Sequence, residues 1–405
     1  MNRIVLIGNG FDLAHGLKTR YEDFINWYWD YRVNGFVSNR TNTSTDCLCV
    51  FECLTQETWN SFCYNLPRFF NKLSGKEVVE SILKDKDRYK VSFSPFFKNI
   101  CKSIETNGWV DIETEYYKLL EHFSLDNYTA KEIEKLNKQL QYLQKLLTDY
   151  LTIINQQDIP VIESIRKKIY EPIKKFDISI ESTKILAEHI VWCKKQDKNV
   201  WDLKLYNYGI NPITSGVIHD VEKFKSDPTL CTEYPKAYML PEKIMLLSFN
   251  YTKTAKKYLR QDCDIFSLNN IHGVLESPDS IIFGYGDEFE DKYKRLQDLN
   301  NNECLTNIKT IRYQESDNYR KVLAFIESAP FQVYIMGHSC GNSDRTLLNT
   351  LFEHKNCISI KPYYYIKKDG TDSYIELVQN ISRNFTDMKL MRDRVVNKTY
   401  CETLL

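Results

Sequence analysis

The chain is expected to be an α/β protein, with a mainly parallel sheet split in sequence by a large helical insertion. Three observations carry this expectation. Short, near-continuous apolar runs end in small polar residues, as strands buried on both faces do. The first and second of these runs stand more than 200 residues apart, and most of what lies between is patterned as helix. The residues able to do chemistry stand just past the ends of the runs, where parallel sheets bind ligands.

The first run, "RIVLIGNG" (3–10), reads as a strand feeding a glycine turn and a helix. Segment 36–58, "FVSNRTNTSTDCLCVFECLTQET", is polar and irregular and reads as loop. In "NGWVDIETEYYKLL" (107–120), Asp111 and Glu113 follow Trp109 near a helix start. Carboxylates in a first turn suit the helix dipole, so capping is the plain reading, and a lid lending them to a site is the other. In "IEKLNKQLQYLQKLLTDYLTII", Ile133, Leu136, Leu140, Leu143, Leu147, Tyr150 and Ile154 recur at alternating three- and four-residue steps. That is about three heptads of one apolar seam, near the minimum for an independent coiled coil. An intramolecular bundle is therefore expected, with a homo-oligomer as the alternative. Pro160 and Pro172 punctuate the helices that follow.

Strand patterns resume with "EKIMLLSFNYT" (242–252), "IFSLNNIHG" (265–273) and "FQVYIMGHSCGNSD" (331–344), plus a shorter run, "SIIFGYG" (280–286). The expected organisation is a core of residues 1–30 plus about 240–405, with 31–239 as the insertion.

Composition narrows the function. With 42% hydrophobic and 27% charged residues the chain reads as an ordinary globular protein. Lys+Arg and Asp+Glu are both 54, so no global charge argues for nucleic acid or membrane. No apolar stretch reaches the ~18 residues of a bilayer span, and the first run is too short for a secretory signal. The twelve cysteines are scattered, apart from Cys47, Cys49, Cys53 and Cys63. Their C-x-C-x3-C-x9-C spacing lacks the paired knuckles of structural zinc, so reduced thiols in a cytoplasmic protein are expected.

Gly8-Asn9-Gly10 sits where a phosphate-binding turn would. Glycines allow close backbone approach, and N–H groups at a helix start bind anions. Leu13 stands where a dinucleotide fingerprint has its third glycine. Asp12 would repel a phosphate, yet it could cap the helix or hydrogen-bond a ribose hydroxyl, and His15 lies three residues on. From spacing alone, a nucleotide site and a structural turn both stay open. Asn250 and His272 each stand just past a strand, and Gly273 leaves room for a ligand beside a histidine suited to acid–base work. Taken singly, each could be a turn residue.

"GHSCG" (337–341) matches G-x-S-x-G, the nucleophile elbow of hydrolases. That motif needs a helix starting directly after Ser339 and a histidine on a later loop. Here Cys340–Ser343 intervene, Ser343 reads as an N-cap, and the only later histidine, His354, ends the same helix. A ligand-facing loop carrying His338 and Asp344 is the better reading.

The set "LIGNGFDLAHGLKTRYEDF", "WVDIE", "LSFNYTKT", "IHG", "FGYG" and "IMGHSCGNSDRTLL" resembles the bacteriophage abortive-infection AbiH family over nearly the whole chain. More distantly, the motif order is similar to the sirtuin-like fold of bacterial defence proteins. That order is a glycine loop, an Asn-Tyr-Asp, a His-Gly and a G-x-S-x-x-D-like loop. The resemblance implies a Rossmann-like, NAD-binding core that hydrolyses NAD during anti-phage defence. It implies Asn250 and His272 as catalytic residues. For the nucleotide loop it implies Gly8, Asn9, Gly10 and Asp12, and the expected binding set also takes in Phe11, His15, Tyr251, Gly337, His338, Ser339 and Asp344. NAD or an ADP-ribose-like molecule is then substrate or ligand, with no required cofactor, no metal and no membrane partner. Two departures are Thr252, where that order has aspartate, and Asn9, where a small residue is usual. Paired zinc knuckles are missing, so deacylation is not expected. Nothing in the sequence identifies the phage trigger. A non-catalytic nucleotide-sensing or assembly module is the rival reading, favoured by Thr252. A metal-dependent hydrolase or nuclease using Asp111, Glu113 and Asp344 comes third.

Overall fold

A computed structural model describes residues 1–38, 41–70, 73–107, 110–126, 128–179, 182–196, 204–208, 236–260, 265–289 and 291–405. Its strands are β1 (Asn2–Ile7), β2 (Thr43–Thr45), β3 (Cys49–Cys53), β4 (Tyr89–Phe93), β5 (Ile244–Ser248), β6 (Phe266–Asn270), β7 (Phe331–Met336) and β8 (Cys357–Tyr363). The chain forms two compact units. One comprises residues 1–17, 158–282 and 313–405, the other residues 18–157 and 283–312.

The first unit holds a five-stranded sheet in the order β6-β5-β1-β7-β8. Every pairing in it is parallel. The expected α/β class, with a sequence-discontinuous parallel sheet, is what the fold shows. β1 is central because its apolar residues alternate between two cores. Ile4 and Leu6 join Met245, Leu247, Val333, Ile335 and Ile360 on one face. The helices Asn318–Ser328 and Arg345–Phe352 cover that face through Val322, Ile326, Leu347, Leu348 and Leu351. Val5 and Ile7 join Ile244, Leu246, Tyr334 and Met336 on the other, under Phe11, Ile165, Ile169 and Tyr258. The strand order reverses at β1, between β5 on one side and β7 on the other. Such a switch point, at the carboxyl ends of the strands, is where open parallel sheets bind ligands. The register aligns those ends, with Ile7 opposite both Ser248 and Met336, and Ser248 opposite Asn270.

Two strand assignments need correction. Residues 280–286 form no strand. Pro278–Ser280 is a 3-10 turn, and Tyr285 makes only an isolated bridge to Ile308. The fifth strand is β8, whose charged Lys361 and Pro362 broke the apolar pattern. Lys361 is fully buried, and Asp177 sits 3.0 Å from its Nζ.

The second unit is mainly helical but carries its own antiparallel sheet, β2-β3-β4. Segment 36–58, expected as loop, supplies two of its strands. Cys49, Phe51 and Cys53 point inward while Val50 and Glu52 alternate, a period of two. Asp46 closes the turn before β3, where its Oδ1 accepts the Leu48 and Cys49 N–H groups at 2.8 Å. The seam helix spans Ala130–Asn155, and all seven seam residues are buried within the chain. It packs against the helices Tyr21–Ser38 and Ile112–Glu121, so the expected intramolecular packing holds. No helix among the described residues is long and apolar enough to cross a membrane.

Candidate functional site

The glycine turn is built by two loops meeting backbone to backbone. Gly8, extended at φ −120°, precedes the short helix Asn9–Ala14. The Gly10 N–H donates to Gly337 O at 2.8 Å, and the Phe11 N–H to Gly8 O at 2.9 Å. A Cβ on Gly8 would lie 2.5 Å from His338 Cα, and one on Gly10 would lie 2.9 Å from Gly337 Cα. Gly337 itself has φ +75°, and its Cβ would reach 2.1 Å from Phe11 N. The glycines therefore let β1 and β7 bring their exit loops into contact; the Gly10 N–H serves that contact, while the Phe11 N–H closes the turn on Gly8.

A second pair of bonds ties this turn to the loop after β5. Asn250 Nδ2 donates to Gly8 O at 2.9 Å, and Thr252 Oγ1 donates to Asp12 Oδ2 at 2.7 Å. Asp12 is only 1% exposed, and its other oxygen, Oδ1, is buried without a hydrogen-bond partner. Burial raises the Asp12 pKa above its ordinary value of 3.8, against lowering by the Thr254 and Thr252 hydroxyls, His15 and Asn250. Phe11 is buried between the rings of His15 and Tyr258. His15 Nδ1 lies 2.7 Å from Phe11 O, a pure acceptor, so that nitrogen carries the proton. Its Nε2 meets Tyr258 OH at 2.6 Å, and that hydroxyl accepts the Ile162 N–H at 2.8 Å. Both ring nitrogens of His15 are thus engaged inside the protein. Asn9 is exposed, and the half-buried Tyr251 donates its hydroxyl to Ile282 O at 3.2 Å.

The remaining predicted residues form a compact cluster over the carboxyl ends of the strands. His272 follows β6, while His338 and Asp344 follow β7. Their loops converge across the ends of β5 and β1. His272 Nε2 lies 3.3 Å from Asp344 Oδ1 and 3.2 Å from Tyr313 OH. His338 Nε2 lies 3.6 Å from Asp344 Oδ2. The Phe249 ring packs against both imidazoles, with centroids 5.2 Å from His272 and 4.1 Å from His338. All three polar residues are buried. An imidazole beside a buried carboxylate is the arrangement that fixes a general base. Ser339 is exposed, and its carbonyl accepts from Asn380 Nδ2 at 2.9 Å. No helix starts directly after Ser339: a 3-10 turn spans Asn342–Asp344 and the helix begins only at Arg345. Ser343 therefore lies inside that turn, and Asp344 takes the N-cap position expected for it.

Tyr313, Phe249 and Thr254 were not singled out by sequence. Phe249 directly precedes Asn250, so its position past a strand end was the available signal. Tyr313 lies in a short 3-10 turn, Tyr313–Glu315, remote from any strand end, and no motif marks it.

The carboxylates of the second unit have structural partners. Asp111 Oδ1 accepts the Thr114 N–H at 3.0 Å, an N-cap. Glu113 accepts the Gly284 N–H at 3.1 Å and pairs with the buried Lys309 Nζ at 2.9 Å. Trp109 lies outside the described residues. Among those residues, no three His, Cys, Asp or Glu side chains converge as metal ligands would. Cys49 instead contacts Tyr28 OH at 3.1 Å, and burial raises its thiol pKa to about 11. A cavity of about 470 Å³ in the same unit is lined by Trp27, Asp30, Tyr31 and Arg32 among others, and none of the predicted site residues lines it.

The family model described as Bacteriophage abortive infection AbiH matches residues 4–365. No curated protein and no solved structure matches the chain.

Proposed function

The chain belongs to the bacteriophage abortive infection AbiH family and thus to anti-phage defence, and from that premise we propose that it acts by hydrolysing NAD at the carboxyl ends of the sheet. The observation that carries this reading is the meeting of His272 and Asp344, 3.3 Å apart, above the switch point of a parallel sheet. Breaking the bond between ribose and nicotinamide leaves oxocarbenium character on the ribose. A base that deprotonates the attacking water then lowers the barrier. In this scheme His272 takes the water proton, the water oxygen bonds to the anomeric carbon, and the electron pair of the broken bond leaves on nicotinamide. Asn250 is held through Nδ2 by Gly8 O, and its Oδ1 orients the water. The products are nicotinamide and ADP-ribose, and no further cofactor enters the balance.

A second reading has its own support. Thr252 stands where the sirtuin-like order has aspartate, and its hydroxyl donates to Asp12. This favours a module that binds a nucleotide without turning it over. Incubating purified protein with NAD, followed by chromatography, separates the two. Nicotinamide and ADP-ribose in equal amounts support hydrolysis. Calorimetric binding of NAD or ADP-ribose without product, in resting protein and in protein from phage-infected cells, supports the sensor.

A further inference from the structure

Asp344 stands between two imidazoles, and the geometry points to a relay of position rather than of binding. His338 has its Nδ1 3.0 Å from the Cys340 N–H, which donates to it. A nitrogen that accepts carries no proton, so neutral His338 holds its proton on Nε2, the atom facing Asp344 Oδ2. The turn that aims this N–H is a strained one. Cys340 has φ +54°, a left-handed conformation rare outside glycine, and is pinned by Asn384 Nδ2 donating to its carbonyl at 2.9 Å. On the other side, His272 Nε2 faces Asp344 Oδ1. An unprotonated Nε2 would set its lone pair against a carboxylate oxygen. A protonated one is attracted to it.

We propose that Asp344 is the positioning residue of His272. It holds the imidazole as the Nε2–H tautomer and thereby makes Nδ1 the proton-accepting nitrogen. His338, locked by the Cys340 N–H, is a second positioning residue that orients Asp344 through its other oxygen. Contacts of this kind are commonly long before a substrate binds and shorten afterwards. The proposal rests on the reading of His272 as a general base. It reassigns His338 and Asp344 from holding a nucleotide to aligning the base. The titratable groups facing His272 among the described contacts are Tyr313 and Asp344, with His338 behind Asp344.

The test is nuclear magnetic resonance of protein labelled with nitrogen-15 at histidine, in the wild type, Asp344→Asn, His338→Asn and His338→Gln. The expected result is an Nε2–H tautomer at His272 and a titration midpoint that falls by about one pH unit or more in Asp344→Asn, because an opposite charge has been removed. His338→Asn keeps an acceptor for the Cys340 N–H but loses the donor to Asp344, so the His272 midpoint rises. His338→Gln keeps a donor near the Nε2 position and leaves the midpoint unchanged. An Nδ1–H tautomer in the wild type, or a midpoint indifferent to Asp344→Asn, overturns the proposal. If Asp344→Asn does not fold, equal midpoints in the two His338 variants overturn it. Where NAD is turned over, Asp344→Asn lowers kcat by about 10²–10⁴-fold with KM little changed. Absence of turnover in the wild type removes the NAD reading alone, since the tautomer is read without substrate.

Discussion

Asp12 illustrates how a single residue can be placed against its own charge. It lies in the first turn of a helix, where a carboxylate is favoured, yet it is buried with one oxygen unpartnered. Because its folded pKa is raised above 3.8, the native state binds more protons than the unfolded chain just above that value. Stability therefore falls as pH rises through the window between the two pKa values. Asp12→Asn removes this dependence. Urea midpoints should show the variant gaining on the wild type as pH rises above 3.8, and parallel curves would refute the burial argument. The glycines make a complementary case. Spacing alone suggests that Gly10→Val loses a ligand and keeps the fold. The backbone contact transfers the damage to the fold, most of all at Gly337, which needs both a positive φ and space. Gly337→Ala should cost about 1–3 kcal/mol from overpacking, with a further ~1–2 kcal/mol from the left-handed backbone, measured by denaturation. The position of every predicted site residue past a strand end was legible in the sequence. What each touches was not, because Thr252, Tyr313 and Tyr258 reach these residues from distant parts of the chain.

Among the elements, the seam helix was the most legible, because seven apolar residues on one stripe have few alternatives to burial. Leu140 and Leu147 are 1% and 5% exposed. Leu140→Glu with Leu147→Glu should disrupt the second unit, at a cost of about 3–5 kcal/mol for an uncompensated buried charge. Loss of helical circular dichroism checks this. An intact spectrum with a smaller particle by light scattering would instead reveal a seam shared between copies. Elements with mixed composition were harder to read. β8 escaped notice because Lys361 interrupts an otherwise apolar run, although Asp177 neutralises it inside the fold. β3 was hidden among polar neighbours, and its alternation is only five residues long. Run 280–286 misled in the opposite sense: it is apolar, but its buried residues pack without a ladder.

For the molecule as a whole, the parallel sheet and its discontinuity in sequence followed from four apolar runs. The return of residues 283–312 to the second unit has no compositional signal, since only contacts distant in sequence create it. Family membership accounts for defence against phage, and the proposed chemistry depends on His272. It is buried at 4% exposure, past the end of β6 and against Asp344. The most direct measurement follows NAD and survival together in phage-infected cells carrying the wild type or His272→Ala, with expression and fold verified. Losing a positioned general base costs about 10²–10⁴-fold in rate. The account predicts that wild-type cells deplete NAD and block phage, while His272→Ala cells keep their NAD and lose protection. If His272→Ala still depletes NAD and still protects, catalysis by His272 is contradicted.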